Sequence, residues 1–129
     1  MINMYNPLRY FSGEIMKNIN ERSKEIMTYL YPPVTMYEKG GELIVEADLP
    51  GFDKKDINVR INRRTLTINA ERDTGVKGTV FMEQRPDRVN KVLHLPFDTN
   101  PDLNFSAKYT NGVLTVTIPA SGVKTIKVE

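Results

Sequence analysis

Two adjacent residues, Asn111-Gly112, constrain this chain more than any other feature. They sit between runs that alternate apolar and polar, Leu103 to Thr110 and Val113 to Pro119, and Asn-Gly in that setting is the strongest short-range hairpin signal. With these two as the loop of a type I′ turn, Tyr109 faces Leu114, Ala107 faces Val116 and Phe105 faces Ile118 on one side of the ribbon. Lys108 with Thr115 and Ser106 with Thr117 occupy the other. Because strand side chains alternate, this single register buries the apolar set and solvates the polar one, and a one-residue slip would invert both.

The same period of two recurs upstream. Val34 to Glu38 reads as a short strand and Gly40-Gly41 as a turn; Leu43, Val45, Ala47 and Leu49 then alternate with Glu42, Ile44, Glu46 and Asp48 up to Pro50-Gly51. After a charged connection with Phe52 as its aromatic anchor, Ile57, Val59 and Ile61 begin another strand. A reversal at Asn62-Arg63 is expected, pairing Val59 with Leu66 and Ile57 with Ile68, although Arg63 would have to accept positive φ. Val89 to Leu95 forms the next strand, ended by Pro96. Strands this short, with turns about every ten residues, predict an all-β chain folded as a two-layer, immunoglobulin-like sandwich over residues 33–120. Between them, Glu71 to Arg88 is polar and glycine-bearing with one apolar island, Val80-Phe81-Met82, read as an edge strand on an unusually long loop.

The two ends differ from this body. In residues 1–32, Leu8, Phe11, Ile15, Ile19, Ile26 and Leu30 recur at mostly helical spacing with charged residues between them, and Pro32-Pro33 stops the helix near Leu30. Such an amphipathic arm must bury its stripe on its own domain, another subunit, a membrane or a foreign chain. Lysines do not dominate its polar face, so contact with a subunit or a foreign chain is favoured. At the other end, residues 121–129 form a small, flexible tail that carries Ile126-Lys127-Val128, two β-branched side chains on one face of an extended segment. The edge of the sandwich between the strand with Val59 and Ile61 and the strand with Phe105 and Ala107 is the groove such a pair would fill, since a sandwich edge leaves its inner face partly uncovered.

Little in the chain supports chemistry. Its 129 residues contain no cysteine and one histidine, His94, which removes disulfides, thiol nucleophiles and a multi-histidine metal site. Asp53 with Asp56 and Glu46 with Asp48 are carboxylate pairs of the kind usually found solvated, and no phosphate-binding glycine loop occurs. A net charge of +2 from 18 basic and 16 acidic residues gives no field for nucleic acid, and no run is long enough to span a bilayer, so neither nucleic acid nor stable membrane insertion is expected. No enzyme activity and no cofactor is expected, and the cytoplasm is the expected location. What stands out is apolar surface that one chain cannot hide: the arm's stripe, the Val80 to Met82 island and the Ile126/Val128 pair. Surfaces of this kind mark protein contacts.

Ala107 followed by Asn111-Gly112-Val113-Leu114 resembles the A-x-x-x-N-G-V-L pattern of the α-crystallin domain, the core of the small heat-shock proteins. Glu42 to Gly51 with Phe52, Val92 to Pro96, and Ile126-Lys127-Val128 fall in that family's order, so the resemblance, closest to archaeal-type members, covers about residues 33–129. It implies an ATP-independent chaperone that holds unfolding client proteins as a dynamic homo-oligomer. It further implies that the island reaches into a neighbouring subunit and adds a strand beside Val34 to Glu38, and that a neighbour's tail fills the groove. One departure is Lys91, where the family usually has arginine, because lysine lacks the planar bidentate fork. The rival reading is an adaptor or co-chaperone sandwich that docks a folded partner; it has no need of the tail and the arm.

Overall fold

The computed structural model describes residues 18, 21–23, 25–26, 30–120 and 127–128. Among them, seven strands follow in chain order: β1 Val34–Lys39, β2 Glu42–Asp48, β3 Ile57–Asn62, β4 Thr65–Glu71, β5 Arg88–His94, β6 Ser106–Thr110 and β7 Val113–Pro119. They pair antiparallel in two sheets, of order β1-β2-β7-β6 and β3-β4-β5, so the expected all-β sandwich is the observed fold. Residues 18, 21–23, 25–26 and 30 are helical, and Tyr31, which follows Leu30, is not.

The Asn111-Gly112 hairpin has the anticipated register: Tyr109 opposite Leu114, Ala107 opposite Val116, Lys108 opposite Thr115 and Ser106 opposite Thr117. Both loop residues have positive φ, 54° at Asn111 and 78° at Gly112, as a type I′ turn requires. Gly40 and Gly41 turn β1 into β2 in the same manner, with φ of 61° and 80°. Inward side chains of both sheets meet in one core, in which Val45, Leu49, Leu66, Ile68 and Ile118 are fully buried. Each such side chain contributes about 1.5–3 kcal/mol relative to an exposed one. Tyr109, on the inner face of β6, places its hydroxyl 2.6 Å from the Leu49 carbonyl and 3.0 Å from that of Phe52, which satisfies two backbone groups where β2 ends.

One turn is displaced from its expected place. The β3–β4 loop is Arg63-Arg64, not Asn62-Arg63, so Val59 faces Ile68, Ile61 faces Leu66 and Ile57 faces Ala70. A shift of two partners preserves which face is apolar, and alternation alone cannot distinguish the two registers. Contacts from the far end of β5 fix the choice. The amides of Leu95 and Thr99 donate to the carbonyls of Arg64 (2.7 Å) and Arg63 (2.9 Å), and the Arg64 guanidinium donates to the carbonyls of Leu95 (3.2 Å) and Pro96 (2.9 Å). Arg63 still bears the positive φ, at 56°. Because a left-handed conformation costs an L-residue about 1–2 kcal/mol, partly offset by glycine's greater freedom when unfolded, Arg63→Gly is expected to raise stability by about 0.5–1 kcal/mol in a urea melt. An unchanged or lower midpoint would mean that the arginine side chain makes up the difference.

The island is the second correction. Residues 72–87 contain no strand, and Val80, Phe81 and Met82 lie 43%, 83% and 72% exposed; within the single chain they are not an edge strand. A three-residue apolar segment far out on a long connection has no ladder partner in its own sheets, and β-propensity without a partner does not make a strand.

Candidate functional site

The open edge of the sandwich is built by two strands that end their respective sheets, β3 and β6. Alternation points Val59 and Ile61 of β3 toward the interior, and the Asn111-Gly112 turn fixes β6 so that Ala107 stands opposite Val116. With Phe105 just before β6, these residues and Ser106 line a hollow of about 250 Å³. The structure thus brings together all four groove residues named from the sequence: Val59, Ile61, Phe105 and Ala107. Val116 joins them because β6 presents only a small side chain there. Ser106 was missed, since its place in the alternation assigns it to the polar face and gives no sign that it rims the groove. Among the described residues, no charged side chain lines the hollow.

The opposite edge, between β1 and β5, is closed by the chain entering the domain. Pro32 is fully buried, and Tyr31, Val34 and Met36 pack on the core. Lys91 lies on the inward side of β5, opposite Ile68, and its ammonium reaches out to donate to the Leu30 carbonyl at 3.3 Å. A cation at the last helical carbonyl is favourable both as a hydrogen bond and against the helix dipole, and the long stem lets the charge escape the apolar interior. Burial raises the pKa of the Tyr31 hydroxyl. On the outer face, Tyr37 donates to Glu46 at 2.6 Å, and that hydrogen bond raises the Tyr37 pKa.

The other residues singled out from the sequence lie outward. Ile26 and Leu30 of the arm are 56% and 57% exposed and Val128 of the tail is 90% exposed, so Val128 does not occupy its own chain's groove. Leu8, Phe11, Ile15, Ile19 and Ile126 lie outside the described residues. His94 is exposed on the outer side of β5. Among the described residues, no group of three or more His, Cys, Asp or Glu could hold a metal ion, and no helix is long and apolar enough to cross a membrane.

Comparison with known proteins adds an independent line. Residues 35–129 match the model of the Hsp20/alpha crystallin family. The probable 15 kDa heat shock protein of Leptospira interrogans is 31% identical over 111 residues, which cover 84% of this chain and 85% of that one. Among solved structures, a mutant of hsp14.1 from Sulfolobus solfataricus P2 is similar at 43% identity and a TM-score of 0.75, covering 88% of this chain and 94% of that one. A small heat-shock protein from Xylella fastidiosa, described as having a distinct high order structure, is similar at 30% identity and a TM-score of 0.59, covering 76% and 95%.

Proposed function

This chain belongs to the Hsp20/alpha crystallin family of small heat-shock proteins, and from that membership we propose that it is an ATP-independent chaperone, a homo-oligomer that holds unfolding proteins and keeps them from aggregating. The observation that carries the proposal is a pairing within one sequence: an uncharged groove lined by Val59, Ile61, Phe105 and Ala107, and a tail with Ile126 and Val128 to fill the groove of a neighbour. The exposed island, Val80 to Met82, supplies a strand to the β1 edge of a second copy and makes the dimer. Tails then join dimers into a larger particle. One tail binds weakly, because ordering each of its residues costs about 1–2 kcal/mol against about 1.5–3 kcal/mol from each apolar side chain, and many tails in a closed particle act together. A particle held this way exchanges subunits, and exchange exposes apolar arms to clients.

The test heats an aggregation-prone protein with the full chain or with residues 1–31 deleted, following light scattering, and measures the native mass of each form. The full chain is expected to form a particle larger than a dimer and to suppress scattering at near-equal subunit ratios. The truncated chain should keep its β spectrum and lose most of the protection. Equal protection by both would remove the arm from client binding. A monomer or dimer without protection would favour an adaptor module that docks a folded partner.

A further inference from the structure

The long connection between β4 and β5 is tied off at its base by one side chain. Arg72, the first residue beyond β4, donates from its backbone amide to the Asp87 carbonyl at 2.9 Å, which extends the β4–β5 ladder by one rung. Its Nε donates to the Pro86 carbonyl at 2.9 Å and its Nη1 to the Pro50 carbonyl at 3.3 Å, on a separate segment that follows β2. Between those bonds, the guanidinium lies 4.3 Å from the centroid of the Phe52 ring. Gly51 makes room for it: φ there is +87°, and a Cβ would fall 2.5 Å from Nη1. Just beyond, the Gly75 amide donates to the Asp73 carboxylate at 2.9 Å and turns the chain away.

We infer that Arg72 is a positioning residue which closes the neck of the 73–86 connection and thereby sets the direction in which Val80, Phe81 and Met82 are presented to a second copy of the chain. The clause about the second copy rests on the proposed role of the island as a dimer strand; the closed neck does not. Three requirements meet at this position: hydrogen-bond donors in two directions, a flat cation to stack on an aromatic face, and permanent charge. Arginine meets all three, whereas lysine brings a point charge without the planar fork. A fixed base restricts the volume an arm explores and so raises its effective concentration at the partner's edge.

Because the chain has no cysteine, Lys54→Cys on the body and Thr79→Cys on the connection provide two unique sites for nitroxide labels. Labelled chain is diluted with unlabelled chain, and the distance distribution between the labels is read by electron spin resonance. Arg72→Met is expected to widen the distribution at least twofold, with Arg72→Lys between it and the wild type; an unchanged width in both variants overturns the closed neck. Dimer dissociation is measured alongside by dilution, in the background Ile126→Ser with Val128→Ser so that only dimers remain. A rise of at least tenfold is expected for Arg72→Met, with partial rescue by lysine. A widened distribution with unchanged dissociation keeps the neck and overturns the presentation of the island to a second copy. Should Arg72→Met lose the β spectrum, Arg72→Lys alone decides both readings.

Discussion

Gly112→Val is expected to lower unfolding free energy by about 2–6 kcal/mol, a large share of what a domain of this size has. Two effects add. At φ of +78° a β-branched residue is held in a sparsely populated region, which costs about 1–3 kcal/mol. A side chain there also has nowhere to go, because a Cβ on Gly112 would lie 3.1 Å from both Cα and Cβ of Pro50, and crowding of that kind costs another 1–3 kcal/mol or so. Neither neighbour moves freely, since Gly112 and the chain before Pro50 are bonded to each other, the Leu49 amide donating to the Gly112 carbonyl at 2.7 Å. A urea melt measures the loss. A control at Gly75, where φ is +68° but a Cβ would meet nothing within 4 Å, isolates the backbone effect: Gly75→Ala should cost only about 1–2 kcal/mol. Equal losses at the two sites would show that contact with Pro50 contributes nothing.

Ala107→Asp is expected to take the proposed assembly apart while leaving the domain folded. Ala107 is exposed in the single chain, contrary to the buried position its pairing with Val116 suggests, because β6 is the last strand of its sheet and nothing among the described residues covers that side. A carboxylate there is solvated when the groove is empty, so stability should change by no more than about 1 kcal/mol. When a tail's Ile126 and Val128 lie in the groove, the same carboxylate is stripped of water among aliphatic groups without a partner, a cost of several kcal/mol and more than one tail can supply. Ile126→Ser with Val128→Ser should reach the same end point from the other side by removing the tail's apolar contact. Sedimentation at micromolar concentration should find dimers with an intact β spectrum in both cases. An intact large particle for the double tail variant would rule out tail-in-groove assembly.

How much of this was legible in the chain depends on range. The Asn111-Gly112 and Gly40-Gly41 turns announce themselves because φ requirements are local, and from them the pairing of β6 with β7 and of β1 with β2 follows. The groove was legible for the same reason, since Val59, Ile61 and Ala107 are fixed by alternation on two strands and Phe105 directly precedes the second of them. Arg63-Arg64 was misplaced because its register depends on Leu95, Pro96 and Thr99, some thirty residues later in the chain, and no local pattern encodes such partners. Arg72 gave no signal: its role arises only when the turn at Pro50 and Gly51 and the return at Pro86 come together in space. Lys91 was noticed as a substitution, yet its bond to the Leu30 carbonyl depends on where the chain enters the sandwich.

In the proposed assembly, the uncharged lining of the groove decides how the particle responds to its surroundings. An occupant held there by apolar burial alone has no ion pair for salt to screen, so raising sodium chloride leaves its hold nearly unchanged, while sulfate, which is excluded from protein surfaces, tightens it. Cooling weakens it, because apolar contacts lose strength as temperature falls. The proposed tail-in-groove equilibrium should therefore shift toward free subunits in the cold and toward the assembled particle on moderate warming.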